Sequence, residues 1–97
     1  MRHEIILAPE AADDLRRLKA HWRVEVKDAI EKHLRHEPTK TSRSRVKRLR
    51  GLSKPQYRLR VGGIRVFYDV SVSSVEVLAI VEKSQAEAWL EQAGEPK

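Results

Sequence analysis

Arg58, Arg60 and Arg65, with Phe67 close behind, are the residues of this chain whose types and spacing could do chemistry. Guanidinium groups are planar, permanently charged forks that match phosphate oxygens, and an aromatic ring can stack on a base. They close a basic block running from Pro38 to Tyr68, which also holds Lys40, Arg43, Arg45, Lys47, Arg48, Arg50 and Lys54 but no Asp or Glu. Ten of the twenty lysines and arginines fall in this block. The rest of the chain carries ten basic against fourteen acidic residues, so the formal charge of +6 arises wholly from the block. A surface so one-sided calls for a polyanion, and nucleic acid is the commonest.

Other chemistries are excluded or unsupported. Cysteine is absent, which removes disulfides, thiolate nucleophiles and Cys-based zinc sites. His3, His21, His33 and His36 show no recurring ligand spacing with carboxylates, so neither a metal nor another cofactor is indicated. The apolar run near the N-terminus is too short for a signal peptide, and no stretch could span a membrane. A soluble, cytoplasmic chain forming one domain over residues 1–97 is the expectation.

The elements that must position the arginines follow from periodicity. His3 to Leu7 is a short strand ended by Pro9. From Pro9 to His36 apolar residues recur at Ala11, Leu15, Leu18, Trp22, Val26, Ile30 and Leu34, the stripe of one long helix or of a hairpin of two broken near Ala20. Pro9 suits a first helical position, and Glu37-Pro38 ends the helical segment. Residues 39–55 read mainly as a loop pinned by Val46, Leu49 and Leu52. Gln56–Val61 and Ile64–Val70 alternate and are joined by Gly62-Gly63, a strong hairpin signal because such turns need positive φ. Val75–Glu82 alternates again, Ser84–Gln92 reads as a short helix anchored by Trp89 and Leu90, and 94–97 as a frayed tail.

The Gly-Gly turn fixes a register. Val61 faces Ile64, Arg60 faces Arg65, Leu59 faces Val66, Arg58 faces Phe67 and Tyr57 faces Tyr68. One face is then apolar core and the other carries Arg58, Arg60, Arg65 and Phe67. Opposed like charges weaken a sheet by some tenths of a kcal/mol. Either they are solvated, splayed or paired with Glu82 or Asp69, or they form an anion site with Phe67 as a platform for a base. A two-residue turn at Ser73-Ser74 puts Glu76, Leu78, Ile80 and Glu82 on the arginine face, with Glu82 opposite Arg65. There it is either a salt-bridge partner or a carboxylate able to take a proton from a ribose 2′-hydroxyl.

The segments Lys47-Arg48-Leu49-Arg50-Gly51-Leu52, Tyr57-Arg58-Leu59-Arg60 and Gly63-Ile64-Arg65-Val66-Phe67-Tyr68 together resemble the RelE/ParE superfamily of bacterial toxins. The resemblance covers nearly the whole chain. It implies an α+β fold: a small twisted antiparallel sheet with an N-terminal helical hairpin on one face and a short C-terminal helix. The RelE branch implies a ribosome-dependent mRNA endoribonuclease, in which the 2′-hydroxyl attacks the adjacent phosphate. Arg58, Arg60, Arg65 and Lys83 would be its site residues, joined by Glu82 from the register above. Where the family often has a tyrosine, this chain has Trp89, whose indole can stack or pack but cannot serve as acid or base.

Lys40, Arg43, Arg45, Lys47, Arg48, Arg50 and Lys54 would contact phosphates of ribosomal RNA or message without sequence preference, and Phe67 a base. The resemblance also implies a cognate antitoxin with an acidic, amphipathic segment, and contact with DNA only through that antitoxin. A ParE-like inhibitor of DNA gyrase and a catalytically silent relative acting only in an antitoxin complex are the alternative readings.

Overall fold

The helical segment is two helices, and an arginine explains the break. α1 (Pro9–Arg17) begins with proline in its first turn beside Glu10, as the helix dipole favours. Leu18 and Lys19 are extended, and α2 runs Ala20–Leu34. No glycine or proline marks this corner. Instead the Arg23 guanidinium donates from Nη1 to the carbonyls of Leu18 (2.9 Å) and Arg16 (3.3 Å), satisfying groups that a helix end leaves open. The stripe survives the break: Ala11, Leu15, Val26, Ile30 and Leu34 are buried, with Leu18 and Trp22 packed against them. Arg35, ion-paired to Glu31, also donates to the carbonyl of His3 and so ties the exit of α2 to the first strand.

The computed structural model describes residues 2–97. After β1 (Glu4–Leu7) and the two helices come β2 (Val46–Arg48), β3 (Leu52–Lys54), β4 (Tyr57–Val61), β5 (Ile64–Val70), β6 (Ser74–Glu82), α3 (Lys83–Ala93) and β7 (Glu95–Pro96). The main sheet has the order β1-β6-β5-β4-β2. It is antiparallel except for β1 against β6, which is parallel; the helical hairpin carries the chain from β1 at one edge to β2 at the other. Leu59, Val66, Tyr68, Val75 and Val77 are fully buried beneath the helices. Burial of each such side chain contributes roughly 1.5–3 kcal/mol. Tyr68 stacks on Tyr57 at 5.5 Å and donates its hydroxyl to the Pro38 carbonyl at 2.7 Å.

The hairpin pairs Val61 with Ile64, Arg60 with Arg65, and so on to Tyr57 with Tyr68, the register expected from its turn. Of the two turn glycines, Gly62 takes the left-handed conformation (φ +56°), and a Cβ there would lie 3.0 Å from the Trp22 ring. Two expectations are amended. Residues 39–55 are mainly irregular, as expected, but include two short strands: β2 pairs with β4, and β3 pairs with the C-terminal residues, Leu52 opposite Pro96 and Lys54 opposite Glu95. The expected frayed tail is therefore β7, held further by the Lys97 amide on the Gly51 carbonyl.

The third change is in β6. Phe67 pairs with Ala79 but Tyr68 with Val77, so Leu78 is a bulge. Glu76 stays on the arginine face, opposite Asp69, while Ile80 and Glu82 turn to the helix side. Glu82 faces Ile64 rather than Arg65, which removes it from its expected place beside the arginines. Past the end of β1, the Ile80 amide is taken up by the Asp14 carboxylate of α1 at 2.9 Å.

Burial, more than the neighbouring Glu10, pushes the Asp14 carboxyl above its ordinary value, although the Ile80 amide opposes this. The ionised form is thus disfavoured in the fold. Its cost is fully present above the raised pKa and is relieved as pH falls through it. Asp14→Asn, which keeps an acceptor without the charge, is expected to match or exceed wild-type stability at neutral pH. Asp14→Ala, which orphans the Ile80 amide, should cost about 1–3 kcal/mol in denaturant unfolding.

Candidate functional site

The sheet face away from the helical hairpin gathers the cations. On β4, Arg58 and Arg60 alternate with core residues, and on β5 Arg65 lies directly across from Arg60. β2 brings Lys47 opposite Arg58, and the Arg60 amide donates to the Arg45 carbonyl at 2.8 Å. Lys47 and Arg45 thereby extend the cationic rows of the hairpin. Ser44, which sequence reasoning passed over, lines a hollow of about 310 Å³ with Arg45, Arg60 and Gly62. Only the β2–β4 pairing could have pointed to it, and a three-residue strand leaves too faint a period to read.

The three hairpin arginines sit in different environments. Arg60 is exposed, Arg58 half-buried, and Arg65 only 7% exposed. Arg65 answers its burial locally: its Nη1 donates to the carbonyls of Gly62 (2.9 Å) and Ile64 (3.1 Å). Arg58 has no such relief. Its Nε is buried without a hydrogen-bond partner. Burial, then Arg65 and Arg60, push the Arg58 guanidinium below its usual range; burial and Arg60 do the same to Arg65. Among the described residues the ion pairs are Arg16–Asp13, Arg35–Glu31 and Lys40–Glu37, none of them with these arginines. Three cations therefore share one sheet face, and among the described residues none of them is ion-paired with a carboxylate, an arrangement suited to an anion.

Phe67 is not a platform for a base. It is 1% exposed and lies flat against Trp89 of α3, with ring centroids 5.0 Å apart and planes 7° apart. The Trp89 indole N–H in turn donates to Glu10 of α1 at 2.6 Å. α3 thus crosses the Phe67 end of the face, with Trp89 as its anchor. The alternation showed that Phe67 left the helix-covered core, but not that a second helix would cover it there.

The other expected site residues are spread more widely. Lys83 opens α3, where its amide bonds the Gly63 carbonyl at 2.8 Å, and it lines a separate hollow with Trp22, Ile64 and Glu82. Arg48 lies on the opposite face, over the Tyr57 ring at 5.0 Å and donating to its hydroxyl at 3.2 Å. Lys40, Arg43 and Arg50 are exposed, and Lys54 is half-buried in β3. Among the described residues no three His, Asp or Glu side chains converge in a way that could hold a metal ion. No helix there is long and apolar enough to cross a membrane.

Residues 5–87 match the family model of the ParE toxin of type II toxin–antitoxin systems, parDE. Among solved structures, the chain is similar to the archaeal RelE–RelB complex of Pyrococcus horikoshii OT3, at 26% identity and a TM-score of 0.61 over 88% of this chain and 99% of that one. It is similar also to the RelB–RelE antitoxin–toxin complex of Methanococcus jannaschii, at 19% identity and TM-score 0.64, covering 87% and 96%. The toxin–antitoxin complex RelBE2 of Mycobacterium tuberculosis follows at 21% identity and TM-score 0.65, covering 84% and 99%. No curated protein matches.

Functional sites are where chains tolerate unfavourable contacts. Arg58→Gln removes a buried donor without a partner and one of three mutually repelling charges. It is expected to raise stability in low-salt chloride by on the order of 1 kcal/mol. Sulfate at matched ionic strength should raise the melting temperature of wild type above its value in chloride by more than it raises that of Arg58→Gln, in which only the general stabilisation by surface exclusion remains. Thermal unfolding of both proteins in both salts checks this.

Proposed function

Because the chain belongs to the ParE toxin family of type II toxin–antitoxin systems, within the RelE/ParE superfamily, we propose that it arrests translation as an endoribonuclease cutting mRNA on the ribosome. The observation that carries this reading is the cluster of Arg58, Arg60 and Arg65, with the Arg58 Nε buried and unpaired. Such a cluster holds a phosphodiester and, more strongly, the pentacoordinate phosphorane, in which negative charge accumulates. The 2′-hydroxyl attacks the adjacent phosphorus and the bond to O5′ breaks. The products are a 2′,3′-cyclic phosphate and a 5′-hydroxyl; the attacking oxygen loses its proton and O5′ gains one.

Arg58 and Arg60 orient and stabilise the phosphate in this scheme. Arg65 adds charge while bracing the turn. None can act as a general base, since guanidinium stays protonated. With Glu82 on the other side, Lys83 in the hollow beside it and the Trp89 indole bound to Glu10, proton transfer falls to groups of the ribosome. Dedicated acid–base groups contribute on the order of 10²–10⁴ in rate, so activity away from the ribosome is weak. The basic segment Lys40 to Lys54 makes the sequence-independent contacts to RNA. Neutralisation is by an antitoxin with an acidic segment, in keeping with the toxin–antitoxin complexes that share the fold.

A second reading has its own observation. The matching family model is that of ParE, and among the described residues no carboxylate is ion-paired with the arginines. Both features suit a gyrase poison that binds without cutting. The two readings separate in a purified translation system. The nuclease reading expects cuts on ribosome-bound message with cyclic or 3′-phosphate ends. Because Arg60 is exposed and its loss leaves the core intact, Arg60→Gln should slow cutting by about 10²–10³. Intact message together with inhibited supercoiling by gyrase would establish the second reading instead.

A further inference from the structure

A second cationic hollow adjoins the arginine face, formed where the start of the basic segment meets the last turn of α2. It measures about 400 Å³ and lies between the end of α2 and the start of β2, lined by Lys32, His33, Lys40, Ser42, Ser44 and Arg45. Ser44 and Arg45 also line the hollow that contains Arg60, so the two hollows flank this pair. The connecting turn is held in place. The Ser42 hydroxyl accepts from the amides of Arg45 (3.0 Å) and Val46 (3.1 Å), and the Ser42 amide donates to the Val46 carbonyl at 2.9 Å. The Arg45 carbonyl is in turn fixed by the Arg60 amide.

We propose that this hollow is a backbone subsite for single-stranded RNA, taking the phosphates next along the strand from the one held at the hairpin arginines, with Ser44-Arg45 as the step between them. It rests on the reading that the arginine face holds a phosphate. Lys32, Lys40 and Arg45 supply point charges. The single acid in the lining, Glu37, lies 3.9 Å from Lys40 and offsets only part of that charge. An acidic amphipathic peptide would need an apolar floor for its other face, and the lining is polar apart from Val46.

His33 makes the subsite responsive to pH. Burial first, then Arg45 and Lys32, hold its imidazole below the ordinary histidine value, and the charged groups around it are Lys32, Glu37, Lys40 and Arg45. A phosphate placed among them favours the imidazolium, so RNA binding takes up a proton.

The test is equilibrium binding of a fluorescent 2′-O-methyl oligouridylate of about eight nucleotides, which cannot be cleaved by 2′-hydroxyl attack, across a salt series. In the Lys32→Gln/Lys40→Gln variant two exposed lysines are lost and the fold is spared. The slope of log affinity against log salt should fall by about 1.4, at about 0.7 per phosphate contact. Affinity near physiological salt should drop on the order of tenfold. Wild-type affinity should rise as pH falls through the histidine range, and His33→Gln should flatten that rise. Unchanged slope and affinity in the double variant, with Arg60→Gln still weakened, would overturn the subsite and leave the arginine site standing. Oligoglutamate displacing the RNA from wild type but not from the double variant at equal charge concentration would assign the hollow to an acidic peptide and likewise overturn the proposal. Intact RNA binding with no cleavage of ribosome-bound message would instead remove the nuclease reading alone.

Discussion

Gly62 turns the chain back on itself with a left-handed φ of +56°, beneath the edge of Trp22, and every pairing from Val61–Ile64 to Tyr57–Tyr68 follows from that turn. Because side chains alternate with a period of two, a slip of one residue would exchange the faces of a strand. Slipping β4 would drive Arg58 and Arg60 under the helices and expose Leu59, which is fully buried. The core contacts of one face thus enforce the opposition of Arg60 and Arg65 on the other. Apolar burial worth several kcal/mol outweighs like-charge repulsion worth tenths. The turn also supplies the relief: its own carbonyls, at Gly62 and Ile64, receive the Arg65 guanidinium.

The second helical layer divides the arginine face in two. Trp89 covers Phe67 and reaches Glu10, so the Phe67 end belongs to packing, while Arg60, Arg58 and the neighbouring Lys47 keep access to solvent. The bulge at Leu78 serves the same division. It places the small, buried Ala79 next to Phe67 and turns Ile80 into the core. Without the bulge the pairing set at Val70–Val75 would have pointed Ile80 outward opposite Arg65 and put Glu82 on the same face, one pair further on, opposite Gly63. An irregularity of one residue therefore keeps Ile80 in the core and the Glu82 carboxylate off the arginine face.

Much of this arrangement could be read from residue order, and the exceptions have physical causes. The hairpin register was legible because the Gly-Gly turn and the alternation on both strands agree. The helical stripe was legible too, but not its break, since Leu18-Lys19 carries no breaking residue and the corner depends on Arg23 reaching back across space. The Leu78 bulge lay hidden because an extra residue leaves the local alternation of Val75 to Val81 looking regular on either side. β2, β3 and β7 are two or three residues long, and strands that short exist only through their partners. Of the candidate site, the guanidinium cluster was legible, whereas the fates of Phe67 and Glu82 depended on α3 and the bulge.

The basic segment is ordered mostly by uncharged contacts. Tyr68 holds its start through the Pro38 carbonyl, β2 pairs its middle to β4, and β7 clasps its end, where the Ser53 hydroxyl donates to the Glu95 carbonyl at 3.2 Å. Had salt bridges done this work, the positive charges would be spent within the fold. Hydrogen bonds do it instead, and the one ion pair that its cations make among the described residues, Lys40 with Glu37 just before the segment, is exposed and contributes little. The entropy of ordering the chain is met during folding rather than on binding. A polyanion that arrives then finds its cations already placed, and the repulsion among them is an unfavourable term that binding removes.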